Sequence, residues 1–120
     1  MVNIKKFEQI GICTSDTYGR LVGKRLNINQ YKSTIKNGMK MPDFHLVTNI
    51  EGKPHLDMKI TGLHTGFKNG ILIPIKDKFF FLPNEKHTIF FLSDVFDSNG
   101  KKISIHSREI LKKKIYLLKK

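Results

Sequence analysis

Tryptophan is absent from these 120 residues, and cysteine occurs once, at Cys13. A lone cysteine excludes an internal disulfide and a cysteine-built metal cage. It fits a reducing, cytoplasmic setting in which a partly buried thiol is inert. Long apolar runs are also missing. Ile89-Phe-Phe-Leu92 is far shorter than the roughly 20 residues a membrane helix needs, so no membrane association is expected. The N-terminus, Met1-Val-Asn-Ile-Lys-Lys6, lacks the apolar stretch of a secretory signal. Acidic residues number ten against 22 basic ones, and only Arg20, Arg25 and Arg108 of the basic set are arginine.

Chemistry-bearing patterns are scarce too. No Glu-x-Glu pair occurs, and no glycine-rich loop has phosphate-loop or dinucleotide spacing. His64-Thr-Gly66-Phe-Lys68-Asn-Gly70 is phosphate-loop-like only in composition. The five histidines, His45, His55, His64, His87 and His106, do not pair at helical spacing, so a zinc site is not expected. A fold that gathers His45, His55 and His64 stays open. Cys13 falls in a strand with no helix N-terminus or fixed cation assigned beside it, which favours a structural thiol over a nucleophile. Asp16, Asp94 and Asp97 read as turn-capping carboxylates, with a cation between Asp94 and Asp97 as the alternative. No catalytic, cofactor-binding or metal-binding residue is therefore assigned.

What is present is a globular composition. Hydrophobic residues make up 39% of the chain and aromatics 10%, enough for a modest core in a single domain spanning 1–120. The net charge of +12 raises a second reading, a small basic nucleic-acid-binding module. Lys24, Arg25, Lys112, Lys113, Lys114, Lys119 and Lys120 would supply phosphate contacts, and exposed Phe or Tyr residues would stack bases. Scarce arginine and dispersed lysine weaken that reading, because the guanidinium fork grips phosphates and base edges best.

Alternation over Phe7–Thr14 predicts a strand, Asp16-Thr-Tyr-Gly19 a turn, and Arg20–Leu26 a second strand closing a hairpin. Asn29–Asn37 fits a short helix, capped by Asn27 or Asn29 and stopped at Gly38. Asp43–Ile50 reads as a third strand, Glu51–Pro54 as its turn and His55–Ile60 as a partner, with a loop over 61–69. Ile71–Ile75 and Thr88–Phe96 read as central strands. Lys78–Leu82 and Lys102–Ile105 read as short ones, with turns at Pro83-Asn84 and Asp97–Gly100. Ser107 caps a last helix, with Glu109 in its first turn. Ile110, Leu111, Ile115 and Leu118 form an apolar stripe expected to pack inward. Three consecutive phenylalanines, Phe79-Phe-Phe81, cannot all face one side of a strand. One of them, Phe80, is expected to be exposed or to cover another surface. The pattern is α+β: a β-grasp-like mixed sheet on a short helix, with a C-terminal closing helix.

Three stretches resemble the N-terminal domain of the glutamine synthetase family. They are Ile12-Cys-Thr-Ser-Asp16-Thr-Tyr-Gly19-Arg20-Leu-Val-Gly23-Lys24-Arg25; Leu72-Ile-Pro74 through Leu82-Pro83 to Thr88-Ile-Phe-Phe-Leu-Ser-Asp94; and Asp97-Ser-Asn-Gly100 with Ser107-Arg108. The flavour is that of the γ-glutamyl-amine (γ-glutamylputrescine-type) branch. The sequence departs from the family pattern at Ile75, Asn84, His87 and Ser107. The family's Asp-Gly-Ser-Ser flap is missing, with Asp43 at best a shifted equivalent, so no ammonium-binding role is carried over.

The resemblance implies ATP-dependent ligation of ammonia or an amine to glutamate, with Mg or Mn. It assigns that chemistry to a large catalytic domain that follows the closing helix. The 120 residues stop at Lys120. The expectation is an accessory or split-gene domain, inactive alone, that pairs with a separate catalytic chain or with itself. Gly23, Lys24, Arg25, Phe80 and Arg108 are the candidate interface residues.

Overall fold

The computed structural model describes residues 2–120. Strands β1 (Gln9–Ser15) and β2 (Leu21–Asn27) form an antiparallel hairpin. Helix α1 (Tyr31–Asn37) follows, and then β3 (Met39–Pro42), β4 (Asn69–Phe80) and β5 (Thr88–Phe96). Helix α2 (Ser107–Leu118) closes the chain. The five strands form one sheet in the order β2-β1-β5-β4-β3. Only β1 and β5 run parallel; the other neighbours are antiparallel. This is the expected α+β, β-grasp arrangement.

Each local element has a local cause. Asp16 holds the hairpin turn, accepting the backbone N–H groups of Tyr18 and Arg20, and Gly19 takes φ 78° there. Asn27 accepts the N–H of Asn29 and opens a 3-10 turn over Ile28–Gln30 that runs into α1. Gly38, at φ 74°, ends α1 with its N–H on the Thr34 carbonyl. Asp97 caps the turn after β5, accepting N–H bonds from Asn99 and Lys101.

The core lies between the sheet and α1. Ile10, Ile12, Leu72, Ile89, Phe91 and Val95 are buried there. The Tyr31 ring of α1 lies 5.8 Å from that of Phe91. In β1 the alternation places Ile10, Ile12 and Thr14 on the core face, as expected, but Gly11 and Cys13 are buried too. The strand is central, and its second face is covered.

Several elements differ from the sequence reading. Asp43–Val47 is a 3-10 turn, not a strand, and the third strand is the preceding Met39–Pro42. His45, Leu46 and Val47 are consecutive and all buried. A half-exposed strand cannot bury three successive side chains, whereas a helical turn against the sheet can. His55–Ile60 forms no strand: pairing back is limited to the Thr48–Pro54 bridge and the His55 N–H on the Val47 carbonyl, and Asp57 bridges forward to Gly62. Lys102–Ile105 forms no strand and contributes the Lys102–Phe96 bridge with the Ile103 N–H on the Val95 carbonyl. The strand read over Lys78–Leu82 is the end of β4, joined to Ile71–Ile75 across a register shift between Pro74 and Phe79. Proline cannot donate to the ladder, and an irregularity near it is the usual accommodation.

Truncating the core tests this arrangement. Phe91→Ala removes a ring that is 1% exposed, and should cost about 3–5 kcal/mol. Urea unfolding of the two proteins measures the difference.

Candidate functional site

Two surfaces stand out. The first is the sheet face opposite α1. Gly11 pairs with Arg25 on one side and Phe90 on the other, and Phe80 pairs with Phe90. The Phe80 and Phe90 rings stack at 5.3 Å and 19°. The Arg25 guanidinium lies 5.6 Å from the Phe90 centroid and makes a two-pronged salt bridge to Glu85. Gly11 leaves room for this stack, since a Cβ there would stand 2.2 Å from a Phe90 ring carbon. Gly23 is equally constrained, because a Cβ would come within 1.9 Å of the Ile12 carbonyl oxygen.

A shallow cavity of about 220 Å³ results, lined among others by Cys13, Gly23, Lys24, Arg25, Phe80 and Phe90. Four of the five residues expected at an interface are thus brought together. Phe80 covers this second surface rather than standing free. Phe79 and Phe81 are the more exposed pair, and the Phe81 ring stacks 5.7 Å from Phe7. Burial pushes the Cys13 thiol up, against a smaller opposing pull from Arg25. A fixed cation does lie near this thiol, contrary to the sequence reading. Burial outweighs it, and the thiol stays protonated and poorly nucleophilic at neutral pH.

The second surface is α2. Arg108, the fifth expected interface residue, lies here rather than with the other four. Its Nε donates to Asp94 Oδ1 at 3.1 Å, and Lys112 donates to Asp94 Oδ2 at 2.6 Å. Lys112 also reaches Glu109, as does Lys102. Asp94 is therefore an ion-pair socket for α2, not a turn cap, while Asp16 and Asp97 cap turns as expected. Ser107 does not cap the helix. The N-cap position is His106, and the Ser107 hydroxyl meets that of Ser15 at 2.7 Å.

The helix is thus pinned by polar groups at its start. Its apolar stripe is exposed, not packed: Leu111 is 59% and Ile115 43% accessible, and Leu118 more so. Tyr116 and Leu117 are exposed as well. This reverses the expected packing. Hydrophobic spacing marks a face to be covered without saying what covers it.

Arg20 was not singled out by the sequence. Its Nε lies 2.7 Å from Asp16, and its other nitrogens donate to the Ile50 and Asn49 carbonyls. It ties the hairpin turn to the 49–54 loop. Lys24, on one edge strand, donates to the Lys40 carbonyl on the other edge strand at 3.4 Å, so the sheet curls strongly. The histidines His45, His55 and His64 are not gathered, since His55 and His64 are exposed. Among the described residues no three His, Cys, Asp or Glu side chains converge on one point.

Comparison with known proteins gives this architecture a context. No family model matches the chain. Type-1 glutamine synthetase 2 of Dictyostelium discoideum is 31% identical over 114 residues, which span 95% of this chain and 22% of that protein. The chain is similar to the N-terminal part of glutamine synthetase-type enzymes. Solved structures share the fold. A novel glutamine synthase homolog superposes with a TM-score of 0.72 at 11% identity, over 97% of this chain and 28% of that one. Apo GmaS gives 0.67 at 20% identity, over 90% and 23%. Plasmodium falciparum glutamine synthetase gives 0.66 at 12% identity, over 98% and 20%. The chain therefore spans about a fifth of the curated relative it matches. No helix of the described residues is long and apolar enough to cross a membrane.

The Asp94 socket yields a pH-dependent prediction. Burial raises the Asp94 carboxyl, but the hydrogen bonds and charges of Lys112 and Arg108 outweigh it and hold the group below its ordinary value of 3.8. A carboxylate depressed in the folded state stabilises above its unfolded pKa, and loses that contribution as pH falls through the folded one. Asp94→Asn should cost about 1–3 kcal/mol at pH 7, and the gap to the parent should shrink below pH 3.8. Chemical denaturation at pH 7 and at successively lower pH reads both. Gly23→Ala should cost about 1–3 kcal/mol by the same assay, because backbone rather than a movable side chain stands in the way.

Proposed function

We propose that these residues form the N-terminal accessory domain of a glutamine synthetase-type ligase, and that α2 and the Arg25–Phe80 face dock it against the catalytic part of such an enzyme. The carrying observation is the exposed apolar stripe of α2 in a chain that matches only 22% of its glutamine synthetase relative. Leu111, Ile115 and Leu118 lie along one side of a helix whose anchoring contacts are all in its first two turns. An apolar stripe of that kind is stable in water only at a cost, and it marks an interface.

In this reading the ligation of ammonia or an amine to glutamate, with ATP and Mg or Mn, belongs to the catalytic part. The described residues offer no converging ligand set for a metal, and no chemical step is assigned to them. Gly23, Lys24, Arg25 and Phe80 contribute a second contact patch, while Arg108 sets the direction of α2 through Asp94. The catalytic part, cytoplasmic in this reading, lies outside these residues. The Ile12–Arg25 stretch favours the γ-glutamyl-amine-forming branch.

A tagged form of the 120-residue chain, drawn from its native cells, should retain a glutamine synthetase-like catalytic chain in stoichiometric amount, identified by mass spectrometry. The double variant Leu111→Glu/Ile115→Glu should weaken that retention at least about a hundredfold, since burying each unpaired carboxylate costs more than about 1.4 kcal/mol. The isolated chain should form no product from glutamate, ATP and an amine. Recovery of nucleic acid alone, released by salt, would replace this reading with the basic-module one.

A further inference from the structure

The two buried histidines are not used by the reading above. His106 is 1% exposed and His45 5%. His106 is the N-cap residue of α2, and His45 sits in the 3-10 turn that follows β3.

Their tautomers follow from their partners. Carbonyl oxygens only accept, so His45 Nδ1, 2.8 Å from the Pro42 carbonyl, carries a proton and donates. His106 Nε2 lies 3.2 Å from the Ser15 carbonyl and 2.9 Å from Thr14 Oγ1, so it too is an N–H donor. Thr14 passes its own proton to the Ser93 carbonyl. Each ring then has one bare lone pair, at His45 Nε2 and His106 Nδ1. Both atoms are buried without a protein partner among the described residues, and the Ser93 hydroxyl is a third such group.

We propose that His45 and His106 form an acid-operated latch that holds α2 and the 43–47 turn against the end of the sheet when neutral and releases them when protonated. Protonation converts each bare acceptor into a buried donor with nothing to donate to, and adds charge in a place shielded from water. The two rings also repel when charged, for His45 lies near enough to disfavour the cation on His106.

The surrounding charges do not cancel this. Asp43 and Asp16 face His45 and favour its cation, as does the Pro42 carbonyl, yet burial outweighs them and the ring stays below its ordinary 6.5. Burial likewise dominates at His106, where Arg108 adds to it and Asp94 and the Ser15 carbonyl oppose it. Groups depressed on folding contribute stability above their unfolded pKa and lose it as pH falls below that value. The window therefore opens downward from 6.5. The carboxylates that pin α2, Asp94 and Glu109, are themselves held below their ordinary values and stay charged through this range. The latch does not depend on the ligase reading.

The test is a titration of the 120-residue chain from pH 8 to pH 4.5. Nitrogen-15 correlation spectra follow the imidazoles, and amide hydrogen exchange, corrected for intrinsic rates, follows α2. The expected result is a neutral Nδ1–H ring at His45 and a neutral Nε2–H ring at His106 well below the ordinary histidine range. Protection of the α2 amides should then fall by about tenfold per pH unit for each proton taken up. His45→Asn/His106→Gln keeps each donor without a titrating ring, and should retain α2 protection across the whole range. Ring titration at or above the ordinary value, or α2 protection unchanged down to pH 4.5, would overturn the latch. So would acid release that persists in the double variant. Should the variant not fold, the ring and exchange titrations of the parent chain decide alone.

Discussion

The fold depends on the parallel pairing of β1 with β5. These strands are far apart in sequence, and no short connection can bring parallel neighbours together. Everything between them, including the hairpin partner β2, helix α1, the long 43–65 excursion and strand β4, has to leave the β1 edge and return to it. The seam is also where burial is deepest. Ile10 and Ile12 from one strand and Ile89 and Phe91 from the other meet on the core face, while Gly11 and Phe90 meet on the opposite one. The hairpin and the C-terminal half are therefore one cooperative unit, although each has its own local turn signals.

That seam explains why the sheet has two covered faces. One is filled by α1 in the ordinary way. The other is dressed by a few side chains, with a phenylalanine stack lying over a glycine and an arginine laid across it and tied to Glu85. The arrangement suits a contact surface better than a reaction centre. It is shallow, its arginine is already paired with Glu85, and its thiol is held protonated by burial. Similarity to part of a much longer glutamine synthetase is consistent with a domain whose surfaces are made to be met by others.

The sequence was most legible where structure is decided locally. Alternation in β1, the asparagine and glycine that bracket α1, the Asp97 turn and the apolar runs of β4 and β5 were all readable, because neighbours within a few residues set them. Asp43–Val47 was misread because five apolar-rich residues suit a strand or a buried turn equally, and only distant packing chooses between them. The stripe on α2 was correctly seen as apolar but wrongly turned inward. Its orientation is set by Asp94 and His106, whose partners lie far away in the chain. No spacing rule could have joined His106 to Thr14 and Ser15, or placed His45 close enough to feel it. The Arg25–Phe80 patch was legible in its members but not in its geometry.

Helix α2 is in effect a cantilever. Its fixed end is a small set of directional polar contacts running to Lys112, and the free length beyond it is about 9 Å at the usual rise per residue. A tilt of about 20° beyond the pinned turns would carry the tip through about 3 Å. Small changes in the ion pairs at Asp94 are therefore passed on as displacements of Leu117 and Leu118. The same geometry lets a surface that grips the tip pull back on the end of β5, which makes the root of this helix the natural place for strain to be exchanged between the sheet and whatever lies beyond it.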